Sequence, residues 1–428
     1  MSTQGSDGRP GTGIRGAHGW ADALLTVLAG LLVMSLTAAL GLWAAGAAEL
    51  PGGSFPRVTA AVVVMAAGGS VALSGNAGEL ARTHADISAL PLSVTLLGAL
   101  VLAAGFLRPL RHRAVATTRE LAGWAGRVAA LWVLVLIGLS LLARHTFDIP
   151  GAGPTGGIGD VFDASPRAGF RAEIPLTLVL GLLWLAGVLV LALLVSRGAP
   201  LPVRLVRFQE SVRPAAYAMV ALLLAYAGVG LLVALVVMVT RGHPAETAAV
   251  ILLGLPNVVW PAFTLGLGAS WEGKADGPFG LPMPQVLDSV LRTPDLSTVN
   301  VGTLADQDGR VWWCVAVAAL FTLAAAFLAA VRSPARMRPR QHALHMAVAL
   351  VLTVLAVCLL ARISAHYGLS LLGLGDLGGG LGGEVLLRPR LWGALGLAVL
   401  WGLVTGLLGG LLGARVHRRG EVRPESPA

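Results

Sequence analysis

The chain has 428 residues, 56% of them apolar and only 12% charged, with a mean hydropathy of +0.78. An ordinary soluble domain carries about twice that charged fraction, so composition excludes a soluble enzyme or a free-standing binding module. The net charge of +9 would suggest nucleic acid in a soluble protein, but the basic residues stand in short clusters between apolar runs. That is the pattern of topology signals: no nucleic-acid partner is expected, and the lipid bilayer is the first partner.

Residues 1–20 read as a basic tail. The run ADALLTVLAGLLVMSLTAALGLWAAGA at 21–45 is apolar for longer than the roughly 7–15 residues of a signal-peptide core and is read as a span. VTAAVVVMAAGGSVALSGNAG at 58–78 is apolar in its first half and rich in Gly, Ser and Asn in its second. Spans follow at 89–107, 124–143 and 174–196, then a basic linker at 197–213 and a span at 214–240. The stretch 247–268 is greasy but broken by Pro256, Asn257 and Pro261. An outer loop is expected at 269–310, with a short helix near PMPQVLDSVLR (282–292), and spans at 311–331, 342–361 and 391–411 precede a basic tail at 412–428. Runs of about 20 apolar residues cross a ~30 Å hydrocarbon core as helices, which satisfy every buried amide within the segment.

Arginine placement bears on the two doubtful stretches. If 58–78 and 247–268 both return to the side they left, one face of the membrane holds 19 basic and six acidic residues and the other 12 basic and 16 acidic. If both cross, the Arg-rich loops 108–123 and 197–213 are exported, against the positive-inside tendency. Re-entry is therefore the expectation; a kinked full span and a flat interfacial segment are the alternatives.

Ordered matches between the halves point the same way. TAAV occurs at 59–62 and 247–250, and LLAR at 141–144 and 359–362. LVLAAGFLRPLR (100–111) aligns with FTLAAAFLAAVR (321–332), and GGIGD (156–160) with LGLGD (372–376). The order fits a parallel duplication, 21–196 and 214–411, with a pseudo-two-fold axis along the membrane normal.

The central parts of the spans hold no ionisable residue, which argues against a carboxylate-driven pump or exchanger. Half-helix ends expose unpaired backbone groups, so Gly68, Gly69, Ser70, Ser74, Gly75 and Asn76, with Gly254, Pro256, Asn257 and Pro261, are the candidate vestibule-lining residues. The bland reading gives Gly and Ser close helix contact and lets Pro and Asn cap short helices. Gly402, Gly406 and Gly410 form a GxxxGxxxG face suited to close packing. Four outer histidines, His84, His145, His243 and His366, lack metal-ligand spacing; no metal or cofactor is expected. Cys314 and Cys358 are read as small buried residues, with a disulfide the alternative. Trp20, Trp43, Trp124, Trp312, Trp313 and Trp392 are read as interfacial anchors. DVFD at 160–163 is read as solvated, and no catalytic motif stands out.

The runs ALPLSVTLLGALVLAAGFLRPLRHR (89–113), GGSVALSGNAG (68–78) and LGLPNVVWPAFTLGLGASW (253–271) resemble the streptophobe family, hydrophobic multi-pass proteins of Streptomyces and related actinobacteria. The resemblance implies an inner-membrane protein and supplies no catalytic residues. The expected fold is all-α and integral to the membrane, with about eight transmembrane helices plus two re-entrant or broken ones in two parallel repeats, both termini cytoplasmic. Two functions fit: a permease- or channel-like protein for a small neutral or anionic solute, or a non-transporting envelope scaffold whose outer loops bind a partner.

Overall fold

The structure, a computed structural model, describes residues 12–49, 53–76, 81–110, 118–148, 167–196, 203–275, 290–291, 296–334, 337–371 and 383–415. GGIGD, DVFD, most of PMPQVLDSVLR and the ends of both tails lie outside them. The principal helices, in chain order, are α1 (Thr12–Ala44), α2 (Phe55–Ala66), α3 (Leu92–Leu107), α4 (Thr118–Leu142), α5 (Ile174–Val195), α6 (Val203–Thr240), α7 (Pro244–Gly266), α8 (Val301–Ala305), α9 (Trp313–Arg332), α10 (Pro339–Leu360) and α11 (Leu391–Ala414).

Among the described residues, eight helical stretches are long and apolar enough to cross a membrane, and the fold is that of an all-α multi-pass membrane protein. Membership differs from expectation at two places. The stretch at 89–107 is the 16-residue α3, below the length of the eight, whereas α7 qualifies by length and composition. Connectivity still carries α3 through the bundle: it runs antiparallel to α1, with Gly98 against Met34, Gly105 against Thr26 and the Phe106 carbonyl accepting from the Trp124 indole at 3.1 Å.

Above one end of the helices, short strands replace what sequence reads as irregular loops. The strands β1 (Val71–Asn76), β2 (Ala81–Ser88), β3 (Arg144–Asp148), β4 (Arg167–Ala172), β5 (Trp271–Ala275), β6 (Ser297–Val299), β7 (Ile363–Leu371) and β8 (Gly383–Pro389) form one antiparallel sheet in the order β3-β4-β1-β2-β7-β8-β5-β6. The order within the first four strands recurs in the last four. β2 joins the two sets, pairing with β7 from Ala81↔Leu371 to Ser88↔Ser364.

Further equivalences follow this order. LLAR ends α4 at Leu142 and α10 at Leu360, and the next residues, Ala143 and Ala361, are both fully buried. Trp184 and Trp401 each stand at the eleventh position of their helices, α5 and α11. The TAAV copies, by contrast, are not equivalent: the first lies inside α2 and the second in α7 before its kink. The segment matching α2 is 255–266, which also ends at a Gly of φ +94, Gly268 against Gly68. Glycine is required there, because a side chain at that φ clashes with its own backbone.

Among the described residues the core is two large clusters and a small third one, Ala60, Ala61, Val64, Val71, Ala143 and Ala172, where α2 meets the strands. Of the large clusters, one gathers Met34, Leu102, Phe106, Trp132 and Leu136 of the first half; the other gathers Met219, Phe263, Met346, Leu350 and Val354 of the second. Trp20, Trp43, Trp312, Trp313 and Trp392 are exposed near helix ends, as anchors would be, whereas Trp124 is buried on Phe106 and packs instead of anchoring.

Candidate functional site

The candidate residues fall at the ends of α2 and α7. α2 has 12 residues, about 18 Å of helix, and its last carbonyls need partners that a helix end leaves wanting. Thr95 Oγ1, one turn into α3, donates to the Ala66 carbonyl at 2.8 Å, and the Gly69 amide donates to Val64 O at 2.9 Å. Gly68 rests on Leu180 of α5. A Cβ on Gly69 would fall 2.8 Å from Thr177 Oγ1, so the chain passes α5 there only as glycine. Ser70, half-buried, keeps its hydroxyl without a hydrogen-bond partner.

Ser74, Gly75 and Asn76 are not at a half-helix end. They are the last three residues of β1, opposite His84, Thr83 and Arg82 of β2 and opposite Gly169, Ala168 and Arg167 of β4. The segment 58–76 is thus a short helix followed by a central strand, and residues 77–78 lie outside the described residues. Its alternation, masked by small residues, hid the strand.

In α7 the break is at Gly254, with φ −137° and ψ 16°. Pro256, which has no amide hydrogen, follows two residues later and removes a further rung. The kink frees the Leu255 amide and the Ile251 carbonyl, which a straight helix would pair. Ser93 of α3 inserts its hydroxyl between them, accepting from Leu255 N at 3.0 Å and donating to Ile251 O at 2.8 Å. Asn257 returns the favour: its Oδ1 accepts from Leu92 N at 3.0 Å and its Nδ2 donates to Leu90 O at 2.8 Å. Each segment therefore completes the other's broken backbone. Pro261 leaves its own carbonyl to Thr264 Oγ1 at 2.8 Å, and Trp271 Nε1 donates to that same hydroxyl at 2.9 Å. Trp401 Nε1 closes the helix end on Leu267 O at 3.0 Å.

Both parts of α7 lie against the sheet-side ends of other helices. Gly41, near the end of α1, meets Leu252 and Leu253, and Gly266 meets the Cys314 carbonyl at the start of α9. Of the ten candidate residues, Gly68 and Gly69 lie against α5 and Asn257 against the start of α3, while Gly254, Pro256 and Pro261 break α7 itself.

Gly402, Gly406 and Gly410 all face α10. Gly402 touches the Ala347 backbone, a Cβ on Gly406 would fall 2.8 Å from the Ala343 Cα, and one on Gly410 3.1 Å from that of Pro339. Cys314 and Cys358 are both free, the latter buried. His243 is exposed with Glu246 at 3.8 Å. Among the described residues no three His, Cys, Asp or Glu side chains gather as a metal site would require.

Sequence reasoning passed over a second polar spot, at the end of the bundle away from the sheet. His342 and His345 of α10, Ser211 of α6 and Ser333 after α9 line a recess of ≈ 10 Å³, enough for about one water. The signal was RQHALH, two histidines three apart at the start of an apolar helix. On the sheet, Glu272 of β5 is clamped by Arg390 Nε at 2.8 Å and Arg388 Nε at 3.0 Å. Those two hydrogen bonds hold its carboxyl below the usual glutamate range. No family model, no curated protein and no solved structure matches the chain.

Proposed function

We propose that the protein is a non-transporting platform of the cell membrane that presents its sheet to a partner in the cell envelope. In this reading the chain is two parallel repeats, and α2 and α7 enter and leave on the sheet side. The termini are cytoplasmic, in line with Arg108, Arg119, Arg332, Arg338 and Arg415 near the helix ends away from the sheet. Placement in the streptophobe family is proposed on the runs at 89–113 and 253–271.

One observation carries the choice of platform over permease: the two halves are tied together on the sheet side. A carrier of two repeats works by rocking one against the other. Here β2 and β7 pair from Ala81 to Ser88, and Ser93 and Asn257 complete each other's backbones across the same boundary. Rocking would break both ties and leave buried amides bare.

The test is a pair of measurements on the full chain. Purified protein in liposomes is expected to raise no flux of chloride, sodium, protons or neutral sugars. Affinity capture of crosslinked cell envelopes is expected to recover a protein whose crosslinks map to the β-strands. Flux above empty liposomes would overturn the platform reading, as would crosslinks confined to the Arg-rich loops. A cysteine at Arg119, Asp276 or Arg204, probed with an impermeant thiol reagent after removal of Cys314 and Cys358, checks the topology: label only at 276 agrees with re-entry.

A further inference from the structure

We propose that the sheet-side end of the seam between α4 and α5, closed by the turn after α2, is a binding site for one small inorganic anion. The seam runs in register. Trp132 and Trp184 meet at 5.6 Å between ring centroids, Leu136 packs on Gly181, and one turn further Ser140 and Thr177 follow on the same faces. Both are fully buried. Neither hydroxyl has a hydrogen-bond partner, and the same holds for the buried Ser70 hydroxyl and Arg144 Nε. Serine and threonine in apolar helices usually donate to the carbonyl four residues back, as Thr26, Thr37 and Thr353 do here. Ser140 and Thr177 do not, and Thr177 lies against Gly69 beside Ser70.

The missing partner is an acceptor. Three hydroxyls and one guanidinium N–H are all donors to a negative charge. β4 places Arg171 in register with Arg144, so two arginines share one cross-strand position. The acidic residue nearest in sequence, Glu173, is exposed at the start of α5. Water alone would meet the hydroxyls but not balance the arginine charge.

The other half supplies an internal control. By the equivalences of α4 with α10 and α5 with α11, Ser140 corresponds to Cys358 and Thr177 to Ala394, both buried in the apolar core, and Gly69 to Ala269. Ser70 and Arg144 recur as Ser270 and Arg362, but at the two helix positions one half carries hydroxyls where the other carries packing atoms, so the Ser140 and Thr177 donors are not demanded by the fold.

The experiment is thermal unfolding of the purified full chain in detergent, at fixed ionic strength, with chloride, nitrate or phosphate replacing gluconate. Wild type is expected to gain a saturable rise on the order of 3 °C with at least one of these anions. The double variant Ser140→Cys, Thr177→Ala copies the other half and is expected to unfold in gluconate no lower than wild type while losing the anion response. Arg144→Gln, which leaves the helix seam intact, is expected to lose it too and carries the test if the double variant does not fold. No saturable rise in wild type, or an equal rise in Arg144→Gln, would overturn the site; the second result would mean anions bind elsewhere on the surface.

Discussion

The two halves share a strand order and a helix order, yet their last two helices pack by different means. α11 sits on α10 backbone to backbone, with Gly402 and Gly406 against Ala347 and Ala343. The matching positions in α5 are Leu185 and Leu189, and there the helices are spaced by side chains, with Trp184 against Trp132. Inside a bilayer no hydrophobic gain separates helix from lipid, so association rests on close contact and hydrogen bonds. The glycine seam maximises contact; the tryptophan seam leaves room for polar atoms such as Ser140 and Thr177.

Substitutions sharpen that contrast. Gly402→Leu drives a side chain into the Ala347 backbone and is expected to cost about 3 kcal/mol or more, read as loss of folded protein by unfolding in detergent. Gly187→Ala in α5 has nothing within 4 Å to meet and is expected to stabilise by up to about 1 kcal/mol. Equal costs would break the comparison.

Ser93→Ala strips partners from two backbone groups of α7 and is expected to cost about 2 kcal/mol, whereas Thr95→Val strips one carbonyl of α2 and costs about 1 kcal/mol. Hydrogen exchange at the Leu255 amide checks the first directly: protection there should fall while that of α2 holds. Trp401→Phe removes the indole bond to Leu267 O at 3.0 Å and is expected to cost about 1 kcal/mol.

Acid supplies the smallest effect, and it also discriminates. Glu272 has its carboxyl held below the ordinary value of 4.5 by Arg390 and Arg388. Its contribution is full above that value and is lost as pH falls through the lowered one. The matching residue of β1 is Ala72, so exchange in β5 and β8 should rise in acid, below that ordinary value, more than in β1 and β4.

The helices were legible because apolar length is a strong signal, and the sheet was not because its strands are short. In VALSGN and WEGKA small and polar residues blur the alternation that marks a strand. Both LLAR copies sit at a helix end followed by a strand. The TAAV copies fall at unlike places in α2 and α7, and alanine and valine repeat readily in any apolar helix. Pro256 and Asn257 announced a break in α7, but the residue that mends it, Ser93, lies 158 residues from Ile251, and no local pattern signals such a partner. The buried hydroxyls of Ser140 and Thr177 were equally silent, since a lone Ser or Thr in an apolar run most often bonds its own helix.

The pairing of β2 with β7 also sets an order of events during synthesis. Ser88 leaves the ribosome 275 residues ahead of Ile363, so at ~5–20 residues per second its edge waits roughly 14–55 s for its partner. An open edge invites pairing with a neighbouring chain, and charges along it discourage that. The strand ARTHADIS carries Arg82, His84 and Asp86 at alternate positions. Nascent chains arrested before residue 363 are accordingly expected to remain dispersed with β2 open to protease, and replacing those three residues with valine to make such chains aggregate. Half of the sheet is, for that interval, guarded by its sequence and not by its neighbour.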